Sequence, residues 1–204
     1  MHSEILSDKQ REILTFLSQF KRSFYLVGGT AIALYLGHRR SIDFDLFTFS
    51  QLNRNRIRQK IAQCPYKKNV VFEDIDQMHY EINNVKVTFF NYPYQIEHTQ
   101  KFENNISMPS LLTLAAMKAF ALGRRAKWKD YVDLYFILTN CYSINDISQK
   151  SYEIFGNLFS EKLFRQQLIF FKDINYNESI EYIIPNPPSE EIVRQKLIEL
   201  STHF

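Results

Sequence analysis

The chain has 204 residues, enough for one elaborated domain or two small ones sharing an interface. Apolar residues make up 45% and charged residues 23%, which excludes general disorder. The formal charge of +3 permits a polyanionic partner but lacks the density of a dedicated nucleic-acid binder. Cys64 and Cys141 stand far apart, with no CxxC motif and no histidine cluster, so neither a disulfide framework nor a zinc site is expected. No apolar run approaches the roughly 20 residues of a membrane span, and the polar residues 1–9 lack a signal-peptide core. A reduced, cytoplasmic, soluble protein is the expectation. The 18 Phe and 12 Tyr suit core and sheet packing, with base stacking a minority role.

Ser7 and Gln10 have capping-box spacing ahead of Ile13, Leu14, Leu17 and Phe20, which predicts an opening helix. Phe24 to Val27 is a short apolar strand running into Gly28-Gly29-Thr30, and a helix over 31–36 follows. Gly37 to Arg40 break it, and 42–47 reads as the next strand. Ser50 is placed to cap a helix reaching about Ala62, stopped by Pro65. Strands are expected at 69–74, 78–82 and 85–90, the last two joined by an Asn83-Asn84 turn. Ser110 caps a helix over 111–122 that Gly123 is placed to end. A second helix over 127–138 carries Tyr131, Leu134, Tyr135 and Leu138 as a stripe. The remainder reads as helical up to Pro185-Asn186-Pro187-Pro188, before a last helix capped by Ser189. The expected fold class is α+β: a mixed sheet flanked by helices over 1–108, then a helical part over 109–204.

Asp43 and Asp45 stand two apart on a predicted strand, so both carboxylates share one face, while Ile42, Phe44 and Leu46 turn to the core. Two adjacent anions on a rigid strand repel unless a cation lies between them. Magnesium suits such a pair, because it takes one or two carboxylates and completes its shell with phosphate and water. The plainer account is a solvated strand face. Gly28 and Gly29 shift the balance: they end a strand and open a helix, where backbone amides, helix dipole and the Thr30 hydroxyl can receive an anion. A phosphate-cradling turn upstream of an Asp-x-Asp strand describes a site for a metal–triphosphate complex.

The stretches Val27 to Leu34 and Arg40-Ser41-Ile42-Asp43-Phe44-Asp45-Leu46 resemble the signature of the AbiEii/AbiGii toxin family. These are bacterial nucleotidyltransferases of the polymerase-beta superfamily, the toxin half of phage-defence and toxin–antitoxin systems. The resemblance continues through Met117 to Leu122, Arg125 and Lys129 to Leu134, and covers roughly 20–140. Lys118 sits among apolar helix neighbours, where a lysine either snorkels to solvent or is directed at a phosphate. The resemblance favours phosphate, and implies that Asp130 helps complete the site and that Arg40 or Arg39 neutralises phosphate charge. Asp130 and Asp133 share a helix face, and Lys129 with Asp133 has the spacing of an ordinary surface pair.

The resemblance thus implies a magnesium-dependent nucleotidyltransferase. Asp43, Asp45, Lys118 and Asp130 would be catalytic, with the metal on Asp43 and Asp45. Gly28, Gly29, Thr30, Arg40 and Lys118 would bind the nucleoside triphosphate. The acceptor would be an RNA such as the tRNA 3′ end, or a protein hydroxyl, and a cognate antitoxin would be a partner. One position departs from the superfamily pattern: Thr88 stands where a third carboxylate is expected, leaving Glu81 or Asp130 to replace it. A degenerate, non-catalytic nucleotide- or partner-binding member is the alternative, and a nuclease or phosphohydrolase using the same acids is a third reading. Arg54, Arg56, Arg58 and Lys60 scatter around a helix as a solvated face. Arg124, Arg125, Lys127 and Lys129 form a denser group placed to steer RNA or nucleotide.

Overall fold

The computed structural model describes residues 1–103, 106–122, 124–125 and 127–202. Its strands are β1 (Tyr25–Val27), β2 (Phe44–Thr48), β3 (Lys68–Glu73), β4 (Gln77–Ile82), β5 (Val85–Asn91), β6 (Gln100–Phe102) and β7 (Ile106–Met108). They form one mixed sheet in the order β3-β4-β5-β2-β1-β7-β6, with β2 parallel to β5 and antiparallel to β1. The helices are α1 (Asp8–Leu17), α2 (Gly28–Leu36), α3 (Arg54–Ala62), α4 (Leu111–Leu122), α5 (Trp128–Asn140), α6 (Ile144–Phe155), α7 (Glu161–Leu168) and α8 (Glu190–Thr202). Among the described residues, no helix is long and apolar enough to cross a membrane.

Period-two alternation builds the sheet. Phe44 and Leu46 of β2, Met78 and Tyr80 of β4, and Val87 and Phe89 of β5 are buried on one face, where Phe89 meets Phe20 and Phe24 at centroid distances of 4.8 and 5.2 Å. The opposite face carries Asp45, Phe47, Thr88 and His79. Asn83 and Asn84 both adopt positive φ (55° and 62°), the backbone a two-residue hairpin between β4 and β5 demands.

Several helix ends follow their local chemistry. The Ser7–Gln10 capping box closes α1, Ser110 Oγ accepts from Thr113 N–H, and Ser189 Oγ accepts from Ile192 N–H. Gly123, placed to end α4, lies outside the described residues. Four expectations are corrected. α3 starts at Arg54 on an Asn53 cap, because Ser50 is held in the turn by Thr48 Oγ1. Ile42 precedes β2 and is 60% exposed rather than in the core. β6 and β7 were not anticipated; both are only three residues long. Finally, 169–184 is irregular rather than helical, with single bridges from Tyr182 to Arg39 and from Asn175 to Lys127.

Candidate active site

The C-terminal end of β1 runs directly into α2, so the helix begins at Gly28 and Gly29 beside the start of β2, where Val27 pairs with Asp45. Gly28 has φ +74°, and a Cβ there would lie 2.3 Å from Asp45 Oδ2. Both facts require glycine: the backbone is left-handed, and the space belongs to the carboxylate. A Cβ on Gly29 would lie 2.7 Å from Arg39 Nη2. The Thr30 hydroxyl is 2% exposed and reaches the Ser41 hydroxyl (2.9 Å) and the Asp43 carbonyl. Its donor is therefore spent on fixing the loop that carries Asp43.

Asp43 precedes β2 and Asp45 lies on it, both half-buried. Burial raises the Asp43 carboxyl and the Asp45 charge raises it further; burial also raises Asp45, against the opposing charges of Arg125 and Lys86. Burial is the larger cause at both acids, so the pair is held desolvated, a setting in which a bound cation would be strongly favoured. Among the described residues no cluster of three His, Cys, Asp or Glu forms a preassembled cage. A two-carboxylate donor set fits a magnesium ion that keeps water and phosphate oxygens in its shell, and fits a structural metal poorly.

Asp45 opens onto a cleft of about 450 Å³ between the sheet and α4, whose walls include Gly28, His79, Thr88, Lys118, Arg124 and Arg125. Thr88 is the cross-strand neighbour of Asp45 on one side and of His79 on the other. Its hydroxyl lies 3.3 Å from His79 Nδ1, while His79 Nε2 is 3.0 Å from Gln77 Oε1. Gln77 Oε1 can only accept, so Nε2 carries the proton and Nδ1 is left as an acceptor beside Thr88. Burial and the neighbouring Lys86 both lower the imidazole's proton affinity. Sequence reasoning passed over His79, which becomes visible only once β4 and β5 are set in register.

The opposite wall is held by buried charge. Lys118 Nζ donates to Asp130 Oδ1 at 2.6 Å and lies 2.8 Å from Asp133 Oδ2. Arg39 donates to both Asp133 oxygens at 2.8 Å, and His38 Nε2 reaches Oδ1 at 2.8 Å. Burial pushes the Asp133 carboxyl up, but Arg39, Lys118 and His38 together hold it well below the usual carboxylate range. Asp133 is fully buried, which rules out the surface pair with Lys129 that their spacing allows; Lys129 instead meets Glu178 at 3.0 Å.

The structure therefore gathers Gly28, Asp45 and Lys118 around one cleft, with Asp43 next to it. Asp130 is 3% exposed and accepts from Lys118 and Arg125, so it supports Lys118 rather than presenting a free acid. Arg40 is engaged by Glu181 at 2.6 Å and does not line the cleft; Arg39 lies next to the glycine turn but is bound to Asp133. Glu81 is exposed opposite Lys86 and also lies outside the cleft walls. Of the basic group after α4, Arg125 pairs with Asp130, and Lys127 with Glu178, while Arg124 stacks 3.8 Å over Phe120.

A strand–turn–helix presenting paired carboxylates on a mixed sheet, backed by a helical half, defines a nucleotidyltransferase-type fold. The nucleotidyltransferase toxin MenT4 (Rv2826c) of Mycobacterium tuberculosis H37Rv superposes with TM-score 0.64 at 12% identity, over 95% of this chain and 80% of that one. JHP933 of Helicobacter pylori gives 0.56 at 14%, over 98% and 88%. An uncharacterized Aquifex aeolicus (strain VF5) protein, aq_aa25, is 27% identical over 205 residues, 95% of this chain and 97% of its own. The family described as "Nucleotidyl transferase AbiEii toxin, Type IV TA system" matches residues 13–195, and the chain belongs to that family. The match extends beyond 20–140 on both sides and takes in most of the helical half.

Proposed function

We propose that the chain transfers a nucleotide from a magnesium-bound nucleoside triphosphate to a hydroxyl of an RNA, such as a tRNA 3′ end, or of a protein. The observation that carries this reading is the desolvated Asp43/Asp45 pair, of which Asp45 shares a cleft with Lys118 and has Gly28 pressed against it. When bound, magnesium would neutralise triphosphate charge and lower the pKa of the acceptor hydroxyl. Asp43 and Asp45 would hold it. The Gly28–Gly29 amides at the start of α2, with Lys118, would grip the phosphates and stabilise the departing pyrophosphate. Thr30 would act by tying down the Asp43 loop. His79 Nδ1, through the Thr88 hydroxyl, would take the acceptor proton in place of a third carboxylate. Asp130 would keep Lys118 aimed. A toxin role, with an antitoxin that relieves it, follows from the family and belongs to the same reading.

The test is label transfer. Protein, magnesium, each α-labelled nucleoside triphosphate and total tRNA are incubated together, and RNA and protein fractions are counted. Wild type is expected to label one fraction, and Asp43→Ala/Asp45→Ala neither. Thr88 favours one competing reading, a non-catalytic binder. Nucleotide bound normally by wild type without label in either fraction would establish that reading instead.

A further inference from the structure

A second pocket, of about 420 Å³, opens at the other end of β1 and β2, roughly 13 Å along β2 from Asp45. It is formed where the turn before β1, the segment after β2, the first turns of α3 and the segment around His98 meet. Lys21, Arg22, Arg56 and Lys60 line it, and among the described residues no aspartate or glutamate does. Arg22 and Arg56 are exposed, and among the described residues neither is in an ion pair. Positive charge is concentrated here, and Arg22 and Arg56 carry it toward solvent. The Lys60 ammonium is pushed down by burial and by the nearby Arg56 and Arg22.

Helix α3 adds to the excess. Its first turn carries Arg54 and Arg56 with no acidic residue, so cations sit at the positive end of the helix dipole. That placement is unfavourable unless an anion shares the site. Phe49 lines the same pocket and is 57% exposed. Its segment is rigid: Asn91 Nδ2 donates toward the carbonyls of Thr48, Phe49 and Ser50 (3.4, 3.1 and 2.9 Å). A solvent-facing ring on a hydrogen-bonded backbone, beside guanidinium groups outside any ion pair among the described residues, is an arrangement that can receive a base and its phosphate.

We infer that this pocket is a second ligand site, binding the phosphate of a nucleotide whose base stacks on Phe49. The nucleotide is either free or part of an RNA strand, and the site is independent of catalysis at Asp43 and Asp45.

The experiment measures binding of a short labelled single-stranded RNA by anisotropy and of ATP by calorimetry. It uses wild type, Arg22→Glu/Arg56→Glu, Phe49→Ala, and a control of equal charge change away from the pocket, Lys9→Glu/Lys162→Glu, at two exposed lysines on α1 and α7. Each is repeated in the Asp43→Ala/Asp45→Ala background, and thermal melting verifies folding. For an RNA-borne nucleotide, Arg22→Glu/Arg56→Glu weakens RNA binding at least tenfold. It also lowers the salt slope by about 1.4, from two lost phosphate contacts. Phe49→Ala weakens binding about fivefold or more, and the control changes it less than twofold. For a free nucleotide, ATP stoichiometry falls from two per chain to one. Either loss must persist in the Asp43→Ala/Asp45→Ala background, where the RNA effect is the same and the ATP count falls from one to none, whatever the fate of label transfer. The inference is overturned if RNA affinity and ATP stoichiometry are both unchanged in Arg22→Glu/Arg56→Glu, or if the control produces the same loss.

Discussion

Gly28 and Asp45 are coupled at the atomic level, because the carboxylate occupies the volume that any side chain at position 28 would need. Gly28→Ala combines that overlap with a φ of +74°, which costs an L-residue about 1–2 kcal/mol. We expect the variant to lose about that much stability in a melt and about a hundredfold in label transfer, since a displacement of roughly 1 Å at the reacting centre has that effect. Unchanged transfer would show that Asp45 does not act from this position. The charge on the pair gives a second expectation. Both carboxyls are raised in the fold, so their ionisation opposes folding: their own contribution is most favourable below the unfolded pKa of about 4 and declines as pH rises through the folded values. Asp45→Asn should therefore melt higher than wild type at neutral pH without metal. Magnesium at about 100 times its Kd should stabilise wild type by about 2.7 kcal/mol and leave Asp45→Asn unmoved. Equal magnesium shifts in both proteins would remove the metal from this pair. Gly28-Gly29 and Asp43-Phe44-Asp45 stand out in the sequence because each is a short local motif, whereas the contact between Gly28 and Asp45 needs the β1–β2 pairing. The partners of Thr30 and Asp133 were not legible in it.

At the scale of elements, legibility followed how local the determining contact is. The Ser7, Ser110 and Ser189 caps and the Asn83-Asn84 hairpin are decided within four residues, and each stands where the sequence put it. β6 and β7 are three residues each, too short for a period to register, and exist because Tyr25 of β1 offers a parallel partner at Ser107. Residues 169–184 carry a helical pattern yet are irregular, because their structure is imposed from outside. Glu178 bridges Lys127 and Lys129 at 2.7 and 3.0 Å, and Glu181 engages Arg40. The hydrogen bonds from Lys127 and Lys129, opposed by burial, bring the Glu178 carboxyl down to about 2. Its sign is that of an ordinary paired acid: the contribution is complete above the unfolded pKa of about 4.3 and is lost as pH falls toward 2. Pepsin cleavage within 169–184 should therefore accelerate between about pH 4 and pH 2, before the rest of the chain is cut. Glu178→Gln should cleave at the fast rate throughout that range. Cleavage independent of pH and of this substitution would show that Glu178 does not hold the segment.

Across the whole molecule, the sheet-bearing part and the helical part are joined by a charge cluster that no local pattern announced. His38 and Arg39 follow α2, whereas Lys118, Asp130 and Asp133 stand on α4 and α5, some 90 residues away in sequence. Arg40-Ser41-Ile42-Asp43 reads as one motif, yet only the fold reveals that the arginine beside it is 2% exposed and serves Asp133 rather than phosphate. The same carboxylate holds Lys118, so the cluster sets both the approach of the two parts and the aim of a cleft-lining cation. Apolar packing is continuous across the same boundary, with residues of β1, α2, α4 and α5 in one core. The division at 108 and 109 should accordingly be invisible to unfolding, with a single urea transition for the whole chain. Asp133→Asn leaves buried cations short of a counter-charge, a change that costs about 3–5 kcal/mol. For a chain of this size that is about 10 °C in melting temperature. Arg39→Ala should cost a similar amount, and the double variant much less than the sum, because each substitution removes the same contact. Label transfer should fall in Asp133→Asn even at temperatures where it is fully folded, since Lys118 loses one of its two anchors. Additive losses would mean that Arg39 and Asp133 act separately, and two urea transitions would mean that the halves fold as independent domains.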